Sequence, residues 1–288
     1  MAQVSCMGFN VLAYGTNGAE TPEERYPYVM TTIKDEMPDL IGIQEACEKG
    51  CSSSNNPQNT LDWVIRLSED LGALGYGYSA LKDQKGFVHP KQNIGSGLMI
   101  FFKKDRFELK ESDAFSFPHD PYRYFQWAKL YDKEYDQNIL FTNTHFSIPP
   151  KVAGAVSVPV GEAYRTAEAG MLLDFWYKNC DENTALFATG DYNSEPITVA
   201  QGILRSKQFK PSYLISKVPD DRGTVNVRVG HNNLIPHLID FCFVNSEVQT
   251  VENYYPIVRR FETQNDGLFA GYASDHRAIM TYCNYIKK

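Results

Sequence analysis

Five short apolar stretches, each of strand length, carry a polar side chain suited to acid–base or metal chemistry at or near an end, and helical segments separate them. That alternation most restricts what the chain can fold into. Val4-Ser-Cys-Met-Gly-Phe-Asn-Val-Leu12 carries Asn10, Asp39-Leu-Ile-Gly-Ile-Gln-Glu45 ends on an acid, and Asn138-Ile-Leu-Phe-Thr-Asn-Thr-His145 ends on a histidine. Ala185-Leu-Phe-Ala188 runs into Gly190-Asp-Tyr-Asn193, and Leu238-Ile-Asp-Phe-Cys-Phe-Val244 encloses Asp240. A sixth site, Ser274-Asp-His276, leads into the strand Ala278-Ile-Met-Thr-Tyr-Cys283. Apolar runs of this length, bounded by turn formers, fit strands buried on both faces.

The intervening segments have helical signals. Thr21-Pro-Glu-Glu24 supplies an N-cap, a proline at the first helical position and a capping-box glutamate. Tyr26, Met30, Ile33 and Met37 then mark one apolar face, and Pro38 stops the helix. Thr60 is the expected cap of a second helix through Leu61, Val64, Ile65, Leu67, Ser68 and Leu71; residues 48–60 before it read as a surface loop. Glu162 to Lys178 forms a third, and Val199 to Leu204 a short fourth. Ser96–Phe102 and Gln126–Tyr131 are further strands. The reading is one α/β domain over residues 1–288.

A hydrophobic content of 43% is that of an ordinary globular chain. The net charge of −7, with no Lys/Arg-rich run, argues against a protein built to grip long duplex nucleic acid. No apolar run reaches transmembrane length. Six cysteines show neither zinc spacing nor a disulfide scaffold. Cys6, Cys242 and Cys283 lie in apolar stretches and read as buried thiols, whereas Cys47 and Cys51 are close enough for a short disulfide in an oxidising compartment. The expected location is extracellular, with a leader absent from this chain, ahead of a cytoplasmic one. No protein partner is evident.

Each polar residue alone has a plain structural reading. Gly-Asp-x-Asn makes turns, and a strand-end histidine is often just satisfied in place. Asp240 is harder to set aside, because a carboxylate within an apolar strand needs a partner; His276 is the natural one. Taken together the set has a chemistry. Glu45 and Asn10 offer the oxygen ligands that Mg²⁺ prefers, with Asp275, Asp191 and Asn193 in reserve. An Asp240–His276 pair would fix the imidazole tautomer and raise its basicity, to activate water or stabilise a phosphate, and His145 would be a second donor to a phosphoryl group. Metal-assisted hydrolysis of a phosphate ester fits this inventory best.

The order of these motifs resembles the endonuclease/exonuclease/phosphatase (DNase I-like) superfamily of metal-dependent phosphoesterases. Phe9-Asn10, Ile43-Gln-Glu45, Thr142-Asn-Thr-His145, Gly190-Asp-Tyr-Asn193, Ile239-Asp240-Phe241 and Ser274-Asp-His276 carry the likeness, across residues 9 to 276. The resemblance implies a four-layer α/β/β/α sandwich, two mixed sheets packed face to face with helices outside, and an active site at one end. It implies Glu45 as main metal ligand with Asn10 beside it, and Asp275 completing the metal or water site. Mg²⁺ would be the cofactor, with Mn²⁺ as substitute. Asp191 would orient or deprotonate the attacking water, Asn193 would help hold phosphate, and His276 would pair with Asp240. Gly97-Leu-Met-Ile-Phe-Phe102 offers no carboxylate for a histidine–carboxylate acid, which favours His145 as a donor to phosphate.

The superfamily's substrates range over phospholipids (sphingomyelin among them), inositol phosphates and nucleic acids. Arg165 is the expected phosphate contact alongside Asn193 and His145, and Arg123 is a second arginine suited to that role. The apolar stretch Ile148–Val160 would rest on lipid, cover a small substrate or fold onto the core. The aromatic group Tyr122, Tyr124, Phe125 and Trp127 would stack on a base or sugar, or be core. Two alternatives stand beside the hydrolase reading: a nuclease acting on DNA or RNA, and a catalytically silent binding protein on the same fold.

Overall fold

The computed structural model describes residues 4–13, 20–49, 61–79, 97–148, 151–152, 155–218, 220, 222–225, 237–263 and 270–286. In chain order, β1 (Val4–Asn10), α1 (Pro22–Glu36) and β2 (Leu40–Gln44) come first, then α2 (Trp63–Ala73), β3 (Tyr76–Ser79) and β4 (Leu98–Lys103). Next are β5 (Phe107–Phe117), β6 (Asp120–Asp132), β7 (Gln137–His145) and the hairpin β8 (Lys151–Val152) with β9 (Ala155–Val156). The long helix α3 (Val158–Asn179) precedes β10 (Thr184–Asp191), α4 (Val199–Leu204), β11 (Phe209–Pro211) and α5 (Ser212–Ile215). The chain closes with β12 (Asp240–Asn245), β13 (Gln249–Pro256) and β14 (Ile279–Tyr285).

Two six-stranded sheets result, ordered β13-β14-β1-β2-β4-β3 and β11-β12-β10-β7-β6-β5. Each contains one parallel pair, β1 with β2 and β7 with β10, so both sheets are mixed. Strand alternation builds the layers. Met7 and Phe9 of β1 pack with Val29 and Ile33 of α1 and Trp63 and Leu67 of α2. Val4 and Cys6, on the opposite face, meet Phe141, Phe187 and Cys242 of the second sheet. That sheet turns Leu140, Leu186 and Ala188 outward onto Ala169, Leu172 and Trp176 of α3. Helix, sheet, sheet and helix therefore stack as the family resemblance implies.

Helix α1 begins as read: Glu24 N donates to Thr21 Oγ1 at 3.3 Å and Thr21 N to Glu24 Oε2 at 2.8 Å. It ends at Met37, left-handed at φ 43°, whose N–H donates to Ile33 O at 2.8 Å. The cap of α2 is Asp62, accepting from Ile65 N at 3.0 Å; Thr60, the expected cap, lies outside the described residues. Helix α3 starts four residues before the expected Glu162, so Val158, Pro159 and Val160 of the apolar stretch form its first turn. Strand β5 was not anticipated: it is an edge strand whose middle is charged and exposed, so it lacks the apolar run that marks the others. Tyr124, Phe125 and Trp127 are buried core, and so are Cys6, Cys242 and Cys283. The side chain of Tyr122, and Cys51 with its expected disulfide, lie outside the described residues.

Candidate active site

Strand register, more than any loop, assembles the polar residues. Parallel pairing sets Asn10 beside Gln44 at the ends of β1 and β2. The next residue, Glu45, leaves the strand at φ 62°, a left-handed conformation that costs a non-glycine residue about 1–2 kcal/mol. In the other sheet Asp191 pairs with His145 of β7 on one side and with Asp240 of β12 on the other. His145, Asp191 and Asp240 thus form one row across three strands. His276 joins them from the segment before β14, where it bridges to Val225.

The two sheets meet through these side chains. Asn10 Nδ2 donates to Glu45 Oε1 at 3.1 Å and to Asp191 Oδ2 at 3.0 Å, linking one sheet to the other. His145 Nε2 stands 3.3 Å from Asp191 Oδ2 and 3.8 Å from Glu45 Oε1. His276 Nδ1 lies 2.9 Å from Asp240 Oδ2, and its Nε2 is 3.7 Å from Asp191 Oδ2. Asp191 is shared by two groups able to hold a cation, Glu45–His145–Asp191 and Asp191–Asp240–His276, each with ligand atoms within 4.8 Å of one another.

Burial makes these groups unusual acids and bases. Burial, reinforced by Asp275, pushes the Glu45 carboxyl up to about 8 against the hydrogen bond from Asn10. Burial also raises Asp191, to about 6, with His276 opposing it and Asp240 adding to it. His145 is held well below its ordinary range by burial, then by Arg123 and His276. Burial pulls His276 down as well, but Asp240, Asp191 and Asp275 outweigh it and hold the imidazole well above its ordinary range. The two imidazoles are thus pushed in opposite directions, His145 toward its neutral form and His276 toward its cationic form. Glu45 Oε2 is buried with no hydrogen-bond partner among the described residues. A buried, unpartnered carboxylate oxygen that holds its proton to about 8 is a place where a divalent cation replaces that proton, so the donor set fits one.

The expected residues do not all face the cluster in the same way. Leu12 N donates to Asn10 Oδ1 at 3.1 Å, so the amide nitrogen of Asn10 is the atom turned to the carboxylates. Asp275 acts on Glu45 through its charge and accepts from Ser274 Oγ at 3.2 Å, but it stands outside both cation-holding groups. Asn193, left-handed at φ 46°, gives its backbone N–H to Asp191 Oδ1 and its Nδ2 to Phe146 O, each at 2.9 Å. Its carboxamide nitrogen therefore ties the residue after His145 to the loop after Asp191. Arg165 bonds Glu162 Oε2 at 3.0 Å and Ser147 O at 3.1 Å, so its guanidinium is engaged within the scaffold. Arg123 differs: it is 7% exposed, its Nη1 is buried without a hydrogen-bond partner among the described residues, and its charge acts on both Glu45 and His145. Phe125 opposes Thr144, which puts Arg123 at the His145 end of β6. His145 Nδ1 has no hydrogen-bond partner among the described residues, in keeping with a β4 that offers no acid.

Beneath the site lies a polar bridge the sequence reading missed. Gln44 Nε2 donates to Asn143 Oδ1 at 2.6 Å, Asn143 Nδ2 donates to Ile43 O at 2.7 Å, and Thr189 Oγ1 donates to Asn143 Oδ1 at 3.2 Å. A Cβ on Gly42 would overlap Thr189 and Asn143, so glycine is needed for the sheets to approach this closely. The available signal was a polar residue in each strand just short of the end, Gln44, Asn143 and Thr189.

No family model matches the sequence, and no curated protein sequence matches it. Solved structures do. The mannosyl-6-phosphatase Bt3783 of Bacteroides thetaiotaomicron superposes with a TM-score of 0.74 at 19% identity, over 98% of this chain and 99% of that one. The human Nocturnin catalytic domain matches at 0.68 and 18% identity, over 99% and 94%. D. rerio TDP2 in complex with a single-strand DNA product matches at 0.69 and 18%, over 98% of each chain. A further match, at 0.74 and 19%, is described as an endonuclease/exonuclease/phosphatase family protein from Bacteroides thetaiotaomicron. Identity this low speaks to architecture alone, and the chain shares its fold with these phosphatase, Nocturnin, TDP2 and endonuclease/exonuclease/phosphatase family structures.

Proposed function

We propose that this chain is a hydrolase of phosphate esters, a phosphodiesterase or phosphatase, working with a bound Mg²⁺ for which Mn²⁺ can substitute. One observation carries the reading: Glu45 keeps an unpartnered, buried Oε2 beside Asp191 and His145, in a carboxyl raised to about 8. Glu45 would hold the cation, with Asn10 and Asp275 supporting it and Asp191 or His145 within reach. When bound, the cation supplies Lewis-acid polarisation of the phosphoryl group.

The chain's own residues supply the rest. Asp191, with its acidity weakened by burial, is the acceptor that orients or deprotonates the attacking water. His276 is anchored through Nδ1 on Asp240 and is pushed toward its cationic form by the surrounding carboxylates, which suits it to donate from Nε2 to charge developing on phosphoryl oxygens rather than to act as base. His145, held toward its neutral form, has its Nε2 3.3 Å from the same Asp191 Oδ2. Arg123 offers the unpartnered Nη1 as a further donor to phosphate, and replaces Arg165 in that role. Asn193 serves by holding the two loops together.

The likeness to a mannosyl-6-phosphatase supports a phosphomonoester substrate, and the likeness to TDP2 holding a DNA product supports action on a nucleic-acid end. A panel separates them: a sugar phosphate, inositol phosphates, sphingomyelin, single-stranded RNA and plasmid DNA, each with Mg²⁺ and with EDTA. At least one is expected to turn over only with the metal, and Asp191→Asn should lower kcat about a hundredfold or more. No turnover of any substrate by a protein that still binds Mn²⁺ would leave the silent binding protein as the reading.

A further inference from the structure

Arg25 lies in the first turn of α1 and is fully buried, and its charge acts on Asp275 and Glu45. Its guanidinium reaches under two separate loops. Nη1 donates to Val11 O at 3.1 Å and to Ala273 O at 2.8 Å, and Nη2 donates to Leu12 O at 2.7 Å. Val11 and Leu12 directly follow Asn10; Ala273 directly precedes Ser274, Asp275 and His276.

Both contacts lead onward to the cluster. Leu12 sits at φ 49°, which an L-residue adopts only when its surroundings hold it there. With its carbonyl fixed on Arg25, its N–H donates to Asn10 Oδ1, and that bond decides which end of the Asn10 carboxamide faces Glu45 and Asp191. On the other side, Ser274 Oγ donates to Asp275 Oδ1 and accepts from His276 N, both at 3.2 Å, so the carbonyl just before Ser274 anchors a short hydrogen-bonded turn. Glu20 steadies the same loop by accepting Gly271 N at 2.9 Å, where Gly271 takes φ 80°. A planar fork can hold carbonyls in two directions at once, whereas an ammonium cannot keep that geometry.

We propose that Arg25 couples the Asn10 loop to the Asp275–His276 loop and is thereby a positioning residue for the cation and phosphate site. The inference rests on the phosphoesterase reading for its functional consequence, but the coupling itself can be measured without any metal. Arg25→Lys keeps a cation without the fork, and Arg25→Met removes both. Arg106→Lys, at a half-buried arginine ion-paired to Asp132 and Asp39 away from the cluster, controls for loss of stability alone.

Amide hydrogen exchange is followed at Val11 and Ala13, which donate to Gln44 O and Glu45 O, and at Arg277, which donates to Thr224 O. In Arg25→Lys, exchange in both loops should rise about tenfold or more while the β2 amides stay unchanged, and the Mn²⁺ dissociation constant from calorimetric titration should rise about tenfold. Arg25→Met should go further in the same direction; if it does not fold, the lysine variant decides. Arg106→Lys should lower the melting temperature and leave Mn²⁺ affinity unchanged. Faster exchange in one loop only, or in neither, overturns the coupling. Equal weakening of Mn²⁺ binding by Arg106→Lys overturns the positioning role. Should the wild type bind no Mn²⁺, the phosphoesterase reading fails, and the exchange comparison still decides whether the two loops are coupled.

Discussion

Glu45 and Asp191 set the acid–base behaviour of this protein. Glu45 is raised from 4.5 to about 8 and Asp191 from 3.8 to about 6, so between those values the folded chain holds protons the unfolded chain has released. Stability contributed by these groups is therefore lost as pH rises through that window. The metal-free protein should melt at a lower temperature at pH 8 than at pH 5. Mg²⁺ has to displace the same protons, so its stabilising effect should be larger at pH 8; thermal scans with and without metal check both signs. The two arginines make a second residue-level contrast. Arg123→Met should lower kcat/KM about a hundredfold, as expected for loss of a charged donor to phosphate, with little loss of stability. Arg165→Met should mainly destabilise, because it leaves the buried carbonyl of Ser147 without this donor and removes the partner of Glu162 Oε2. Steady-state kinetics beside urea denaturation separates the two. Sequence alone made the acids and histidines legible, because each stood out against an apolar run. It could not rank the arginines, since that depends on which one α3 engages.

Element by element, the site hangs on strand ends and on one helix. Glu168 of α3, fully buried, accepts Ser147 N at 2.9 Å, Ser147 Oγ at 2.5 Å and His119 Nε2 at 3.0 Å. Ser147 is two residues past His145, so α3 fixes the exit of β7. Glu168→Ala should cost about 1–3 kcal/mol for each polar group left unsatisfied and should lower kcat by shifting His145, with Glu168→Gln recovering part of both. Denaturation midpoints and kcat for the pair of variants test this. Helix α1 was legible to its cap because the capping box is local chemistry. Strand β5 was not, because an exposed edge carries its pattern in pairing with β6 rather than in apolar residues.

Across the whole molecule, the two sheets are joined at both ends by different means. At the site end the amides of Asn10, Gln44 and Asn143 reach across, to Asp191, to Asn143 and to the Ile43 carbonyl respectively. At the far end Arg106 lies 2.6 Å from the fully buried Asp132 and 3.2 Å from Asp39, while Tyr285 donates to Asp132 at 2.9 Å. Arg106→Met should cost about 3–5 kcal/mol, the penalty for a buried charge losing its partner, and leave the metal site intact. Chemical denaturation and Mn²⁺ titration of the same variant show both effects.

The most direct test of the central claim is release of p-nitrophenol from p-nitrophenyl phosphate or from bis-p-nitrophenyl phosphate by the wild type and by Glu45→Ala, each in Mg²⁺, in Mn²⁺ and in EDTA. Hydrolysis by the wild type with either metal, abolished by EDTA and by the substitution, is the predicted result. Hydrolysis that survives EDTA, or wild-type rates no higher than those of Glu45→Ala with metal present, would contradict it.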